Sequence, residues 1–410
     1  MSEGYFQALP RPSGDHEKCG RRSQNGGLTK GTREGTFGKA SEAVTNRDCS
    51  YFVIFPHNYI LETNMKNLEN HFDRKRRSFL KLSGLLGLGA ASAALLPAEK
   101  AEALLFGNKE YKVTKTKLAM GSFVSMTAIH PSKDEAEEAI GLAFEEMDRL
   151  NKILTHYDAS SPVGSLNSSG KLEAAPQEVL DLVARSLYFT RETGGAFDIT
   201  VKPLIDLYKD SFAVKHTPTE AEINQAAERI GSDGIQFHNG SLLFKRSDMA
   251  VTFDGIGVGY IVDRVSEVLR EKGVVNHLIN AAGDIRVSGK AAGGKAWTVA
   301  IQDPAKSRDY PNIVAMQDGA IATSGNYEVF YDNEKLFHHI INPRTGHSPQ
   351  LASSVTIMAP SCMDADALST SVFVMEPAAG VQFIERQADY ECFVIDKDGN
   401  SKYSSGWSVS

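Results

Sequence analysis

The residues best suited to chemistry lie late in the chain, between positions 322 and 370. Asp366 and Thr370 are four residues apart, so on a helix their side chains project from the same face. A carboxylate and a hydroxyl on one face offer oxygen ligands, which Mg²⁺ prefers. The same pair also fits a structural role, in which Asp366 caps a helix and Thr370 bonds back to a carbonyl. Taken alone, the pair favours the structural role, because short motifs recur by chance.

A glycine-rich segment, Gly255-Ile256-Gly257-Val258-Gly259, is a second candidate. We expect it to join a short strand over 251–253 to a helix over 260–272. Glycines there let the backbone approach a phosphate, and a helix N-terminus favours an anion. The segment is not a full dinucleotide-binding fingerprint, and a tight strand-to-helix turn explains it equally well.

The segment Gly194-Gly195-Ala196-Phe197-Asp198 joins a predicted helix to an extended stretch. Phe197 and Asp198 are able to stack on a planar ring and hydrogen-bond it. A turn that places Phe197 in the core is the simpler interpretation, and the residues alone favour it.

Two adjacent histidines, His338 and His339, alternate across a predicted strand over 338–341. One of them would therefore face a site and the other a neighbouring strand or solvent. Lone histidines are more often structural than catalytic, and no spacing here suggests zinc. In the turn that follows, Arg344 is able to reach a phosphate.

The elements that must position these residues mix strands and helices without a regular βαβ repeat, which predicts an α+β fold. A hairpin over 111–129 contains the turn Met120-Gly121-Ser122. A helical stripe places a helix over 134–154, and the stretch around Asp366 is expected to be helical too. Further predicted helices cover 176–192 and 219–230, and further strands cover 277–280, 297–302, 320–322 and 354–359.

Composition is that of a globular protein: 410 residues, 41% hydrophobic and 23% charged. The net charge of −7 and the pI of about 5.9 argue against a nucleic-acid partner. Four cysteines show neither CxxC pairing nor zinc spacing. Cys362 and Cys392 fall in the part expected to fold, where we expect buried thiols.

The N-terminal region has the layout of an export signal. Arg76-Arg77 lies in a basic segment, a Gly/Ala/Leu stretch covers 82–96, and Ala101-Glu102-Ala103 offers a cleavage site. The twin arginine predicts export of the folded protein to the periplasm, and the short apolar stretch favours cleavage over membrane anchoring. Residues 1–64 are either disordered or precede a true translation start at Met65. The predicted organisation is therefore 1–64, a signal over 65–103, and one catalytic domain over 104–410.

The motifs are more specific as an ordered set than singly, and together they resemble the FAD:protein FMN transferase (ApbE) family. The export signal makes the twin-arginine-exported subgroup the best match. The resemblance covers essentially 111–410. The motifs that carry it are 120–122, 194–198, Gly255-Ile256 with Gly259-Tyr260 and Asp263, 280–285, 322–325, 338–346 and 365–367 with Thr370.

The resemblance implies an α+β transferase of the ApbE type, with mixed and antiparallel sheets flanked by helices. It implies Mg²⁺-dependent transfer of FMN from FAD to a threonine hydroxyl of an acceptor flavoprotein, with release of AMP. Any membrane contact would come through an uncleaved signal or a membrane-bound acceptor. By family position Asp366, Thr370 and the Gly255 carbonyl are metal ligands, and Asp366 and His339 are catalytic. The residues implied to bind FAD are Met120, Tyr157, Ala196, Phe197, Asp198, Asp254 and Ile340.

The chain departs from the family pattern in the glycine-rich segment. Thr252 stands where the family usually has an acid, Asp254 where it has glycine, and Val258 where it often has lysine. Asp254 is a candidate to replace the missing carboxylate from a shifted place. Two alternatives stay open: a Mg²⁺-dependent FAD pyrophosphatase that uses water as acceptor, and a periplasmic flavin-binding protein without chemistry, which the loss of the lysine favours.

Overall fold

An antiparallel sheet of nine strands lies at the centre of the part of the chain that the computed structural model describes. That part comprises residues 51–53, 102–106, 110–305, 310–327, 329–332 and 336–407, all within the unit 49–410. Residues 1–50 and 54–101, with most of the predicted export signal, lie outside it. The α+β class and the mixed architecture predicted from the sequence are confirmed.

The nine strands run in the order β15-β14-β13-β12-β9-β8-β4-β3-β2. Each pairs antiparallel with its neighbour. Their bounds are β2 Glu102–Phe106, β3 Glu110–Ala119, β4 Ser122–His130, β8 Asn276–Ala281, β9 Asp284–Ser288, β12 Gly319–Gly325, β13 Ala352–Ala359, β14 Glu391–Asp396 and β15 Ser401–Tyr403.

Two smaller sheets complete the described strands. One has the order β1-β10-β11, with β1 Tyr51–Val53, β10 Trp297–Ile301 and β11 Asn312–Met316. The other has the order β5-β7-β6, with β5 Lys171–Leu172, β6 Ile235–His238 and β7 Ser241–Phe244.

Eight α-helices lie in the described residues. Their apolar faces and caps follow the sequence: in the first, Ser132 caps the N-terminus by accepting from Glu135 N–H, and the buried residues form one stripe. The helices are α1 Lys133–Leu154, α2 Pro162–Ser169, α3 Gln177–Glu192, α4 Lys202–Ala213, α5 Glu220–Ala227, α6 Gly257–Glu271, α7 Cys362–Val374 and α8 Pro377–Ile384. Among them, none is both long and apolar enough to cross a bilayer.

Each face of the large sheet has its own core, because successive residues of a strand point to opposite faces. Met126, Ile279 and Val355 belong to a large cluster with the buried faces of α1, α6 and α7. Leu278 and Ile285 instead belong to a cluster with Trp297 and Val314 of β10 and β11. The sheet is thus covered by helices on one face and by a small sheet on the other, and α6 and α7 share the helical face.

Two predicted strands are absent, and the predicted helix over 219–230 ends as α5 at Ala227. The stretch 251–253 is not a strand, because Val251 exchanges two backbone hydrogen bonds with the Asn167 side-chain amide. The stretch 338–341 forms only an isolated bridge to Phe330, since the His338 N–H donates to Ser348 Oγ. In both places the apolar pattern reflects burial, whereas side chains satisfy the backbone.

Candidate active site

Helices α6 and α7 meet at Gly259. A Cβ atom on Gly259 would lie 2.3 Å from the Cys362 carbonyl oxygen and 2.8 Å from Met363 Cα. Such a contact has no room for any side chain, so glycine allows the first turn of α6 to touch the first turn of α7. This close crossing determines which α7 side chains face the glycine-rich segment.

Asp366 and Thr370 both face the start of α6, one helical turn apart. The Asp366 Oδ2 atom accepts a hydrogen bond from Gly259 N–H at 3.1 Å. The Thr370 Oγ1 atom lies 3.2 Å from the position a Cβ would take on Gly255 and 3.2 Å from Ser324 Oγ. The structure therefore brings together all three residues predicted as metal ligands.

A second buried carboxyl group, that of Asp284, interacts electrostatically with Asp366. Asp284 opens β9 directly after a tight turn, in which Ala282 and Gly283 have φ of 56° and 115°. Burial raises the pKa of Asp284 to about 7. Burial first, and then the Asp284 charge, raises the pKa of Asp366 well above its usual range. A cation bound beside these acids would favour the ionised forms of both.

Acidic side chains alone do not complete a cation site here. Within the described ranges, no group of three or more His, Cys, Asp and Glu side chains is arranged to hold a metal ion. A cation at this position would also need hydroxyl, backbone or water oxygens, as Thr370 and Gly255 offer. That ligand set suits a hard cation such as Mg²⁺, which keeps several waters when bound.

Asp254 joins two aromatic residues at the edge of this site. Tyr157 OH donates to its Oδ2 atom at 3.1 Å, and His156 Nδ1 lies 3.7 Å from its Oδ1 atom. Thr252 Oγ1 accepts from the Asp254 N–H at 3.1 Å and lies 3.3 Å from His156 Nδ1. Thr252 thus supports the turn, and Asp254 places a carboxylate beside the exposed Tyr157 ring.

His339 and His338 have different surroundings. His339 Nδ1 lies 3.0 Å from the Val329 carbonyl oxygen. A carbonyl only accepts, so Nδ1 carries the proton and Nε2 is left as the basic nitrogen. Burial lowers the pKa of His339, while the Asp254 charge opposes that shift. His338 instead contacts the Pro349 carbonyl, and burial lowers its pKa to about 4, as expected for a structural residue.

The remaining residues implied to bind FAD lie in turns or in the core. Met120 forms the β3–β4 turn with a φ of 51°. Phe197 and Ile340 are buried in the main core, although Phe197 Cε2 lies 3.4 Å from the Cβ position of Gly255. The Asp198 carboxylate accepts from the backbone N–H and hydroxyl groups of Thr200 and Ser232. Their flavin-binding role stays a prediction, as does that of Ala196.

Asp284 and Ser324, for which the sequence pattern predicts no role, lie beside the predicted ligands: Ser324 Oγ is 3.2 Å from Thr370 Oγ1, and Asp284 interacts with Asp366. Both lie in segments that carried the family resemblance, at 280–285 and 322–325. The available signal was their position after a glycine turn and within a strand of small residues. Neither feature predicts which residues Asp284 and Ser324 contact, because these contacts depend on how β9 and β12 pack against α7.

Comparison with known proteins identifies the architecture. The family model described as the ApbE family matches residues 120–394. The FAD:protein FMN transferase of Vibrio cholerae is 30% identical over 272 residues, which are 63% of this chain and 81% of that protein. The protein of the same name from Escherichia coli is 28% identical over 269 residues, 62% of this chain and 76% of that one.

Two solved structures share the fold. The ApbE protein from Thermotoga maritima superposes with a TM-score of 0.66 at 25% identity, covering 72% of this chain and 97% of that one. The flavin transferase ApbE from Vibrio cholerae superposes with a TM-score of 0.64 at 26% identity, covering 72% and 98%.

Proposed function

This chain belongs to the ApbE family, and from that premise we propose that it is an FAD:protein FMN transferase. In the proposed reaction a threonine hydroxyl of an acceptor flavoprotein attacks the FMN phosphorus of FAD. A new phosphoester bond forms, the pyrophosphate bond breaks, and AMP leaves. The observation that supports this most directly is the meeting of Gly255, Asp366 and Thr370 at the start of α6.

We propose that this corner holds Mg²⁺ through Asp366, Thr370 and the Gly255 carbonyl, with Asp284 as a further candidate. The donor set fits, because burial raises the pKa of both carboxyl groups and the Asp284 charge adds to the shift of Asp366, so a cation would favour their ionised forms. Bound Mg²⁺ would neutralise charge on the pyrophosphate and on the departing phosphate.

The residues of the chain supply the remaining functions. The N-terminus of α6 directs its positive dipole end toward this corner, which favours phosphate. His339, with Nδ1 protonated, has Nε2 available to accept the proton of the attacking threonine. Tyr157 is half exposed and its hydroxyl is held by Asp254, so its ring is placed to contact flavin or adenine.

We further propose that the protein works in the periplasm after twin-arginine export. The support is the sequence pattern of residues 74–103. Cleavage after Ala103 would leave Leu104, Leu105 and Phe106 of β2 paired with β3. N-terminal sequencing of the protein from a periplasmic fraction tests this, and a mature chain that starts elsewhere or stays in the cytoplasm would contradict it.

The decisive experiment incubates the purified protein with FAD and Mg²⁺, with and without a co-expressed acceptor flavoprotein. Covalent FMN on an acceptor threonine, lost in Asp366→Ala, supports the transferase. AMP release that needs no acceptor would identify a pyrophosphatase instead. Retained FAD without AMP would identify a flavin-binding protein. Asp396→Asn, at a carboxylate whose bonds stay within the β14–β15 hairpin, is the matched control.

A further inference from the structure

We infer that Asp263 is a positioning residue for the metal site: its carboxylate fixes the start of α7 and so places Asp366 and Thr370 against α6. This inference rests on the proposed metal-dependent function and deepens it. Asp263 lies in α6, one helical turn after Gly259, so both residues face the first turn of α7.

The hydrogen bonds of Asp263 go to the backbone of α7. Its Oδ1 atom accepts from Cys362 N–H and its Oδ2 atom from Met363 N–H, both at 2.9 Å. These N–H groups lie in the first turn of α7 and have no partner within the helix. A carboxylate at this end also interacts favourably with the helix dipole. Asp263 therefore fixes the α7 terminus in position and direction.

The exchange between the two helices is reciprocal. The Asp263 carboxylate of α6 accepts hydrogen bonds from two backbone N–H groups of α7. The Asp366 carboxylate of α7 in turn accepts one from the Gly259 N–H of α6. Two contacts in opposite directions, with no side chain between them at Gly259, prevent one helix from sliding or rotating past the other. The distance between Gly255 and Thr370 depends on this register.

Arg286, on strand β9 of the large sheet, contacts both Asp263 and the segment just before α7. Its Nη1 atom donates to the Pro360 carbonyl, and its Nε atom lies 4.0 Å from Asp263 Oδ1. Asp284 and Arg286 are two residues apart on β9 and so share a face of the sheet. Asp284 approaches Asp366, while Arg286 reaches the residues just before α7. Asp263 thus lies at a three-way junction of α6, α7 and β9.

Metal affinity measures this role directly. We would titrate Mn²⁺ into the full folded chain and follow the free-ion signal by electron paramagnetic resonance. Asp263→Asn keeps the size of the side chain but puts an amide donor against a backbone donor. We expect its Mn²⁺ affinity to fall roughly 10- to 100-fold, as for other residues that orient metal ligands. The Mg²⁺ concentration for half-maximal transfer should rise in parallel, with the KM for FAD at saturating Mg²⁺ unchanged.

The matched control is Asp396→Asn, because Asp396 also accepts from two backbone N–H groups, those of Asp398 and Asn400. It should lose stability and keep its Mn²⁺ affinity. If Asp263→Asn binds Mn²⁺ as wild type does, or if both variants weaken binding equally, the inference is overturned. A wild-type affinity that Asp366→Ala does not change would instead refute the proposed metal site.

If Asp263→Asn does not fold, Asp263→Glu provides a second test. Asp263→Glu keeps the charge and both acceptor atoms but adds one methylene between α6 and α7. The inference predicts weaker Mn²⁺ binding in this variant at temperatures where a cooperative melting transition shows that it is folded. Wild-type affinity in this variant would overturn it.

Discussion

The Gly259 N–H donates to Asp366 Oδ2 at 3.1 Å across 107 residues of sequence. This bond joins the first turn of α6 to the second turn of α7. It holds the Asp366 carboxylate on the side of α7 that faces the glycine-rich segment. The geometry of the proposed metal site therefore depends on a glycine that is not itself a ligand.

Gly259→Ala should separate the two helices. The added Cβ would meet the Cys362 backbone at 2.3 Å, and backbone cannot swing away as a flexible side chain does. We expect a loss of about 1–3 kcal/mol in the free energy of unfolding, measured in urea, together with loss of Mg²⁺-dependent transfer. Gly141→Ala in α1 is the control: its Cβ meets nothing within 4 Å, so it should stabilise the protein slightly. Equal stability of the two variants would contradict the close crossing.

Asp284→Asn should stabilise the metal-free protein. It removes one of two acids whose pKa values burial raises, and with it the charge that raises the pKa of Asp366 further. In a chelator its melting temperature should exceed that of wild type, and added Mg²⁺ should raise it less. Asp364→Asn is the contrast, because Asp364 pairs with Arg185 at 2.6 Å and its loss leaves Arg185 unpaired. A lower melting temperature for Asp284→Asn with a full Mg²⁺ response would show that Asp284 is structural.

His339→Gln should slow FMN transfer by about 10²- to 10⁴-fold, the usual contribution of a general base. The Mg²⁺-induced rise in melting temperature should stay the same. Burial lowers the pKa of His339. Acidification should therefore leave wild-type kcat/KM unchanged through the pH range in which an ordinary histidine titrates, and should lower it only at a more acidic pH. His216→Gln, at an exposed histidine beside Glu222, should transfer FMN like wild type. A His339→Gln rate equal to that of His216→Gln would exclude the proposed role.

His277 should make the protein sensitive to acid. Burial lowers the pKa of His277 to about 4, and the charges of Arg286 and Arg270 add to that shift. The His277 side chain binds a proton more readily in the unfolded chain than in the folded protein. Its contribution to the free energy of unfolding is therefore present above the ordinary histidine pKa and is lost as the pH falls toward 4. Between pH 7 and pH 4.5 this histidine should cost about 2–3 kcal/mol.

The measurement compares wild type with His277→Gln by urea unfolding at both pH values. The variant will be less stable at pH 7, because it disturbs the contacts to Ser266 and to the Val274 carbonyl. Its further loss on acidification should nevertheless be smaller than that of wild type. Parallel losses would show that His277 titrates normally in the folded state.

Hydrophobic periodicity and turn residues predicted correctly the helices and the hairpin whose structure depends on neighbouring residues. The stripe over 134–154 and the β3–β4 hairpin were confirmed, as was the helix that carries Asp366 and Thr370. The strands predicted over 251–253 and 338–341 were wrong because an apolar pattern reports burial, whereas a strand needs a backbone partner. The side chains of Asn167 and Ser348, distant in sequence, took that role.

The sequence predicted only the part of the candidate site in which two residues share one helix. Asp366 and Thr370 share a helix, so their separation of four residues placed them on one face. Asp284, Ser324 and Asp263 reach the site through strand register and the α6–α7 crossing. No local rule connects them, and their positions were therefore not predictable from spacing alone.

The hydrogen bond between Gly259 and Asp366 also has a consequence for folding kinetics. Contacts between residues so distant in sequence close large loops, which slows folding. A chain that ends before α7 lacks both Asp366 and Thr370, so the proposed metal site cannot form until α7 has been synthesised. Any stabilisation by the proposed metal would therefore act only on a nearly complete domain, after α6 and α7 have paired.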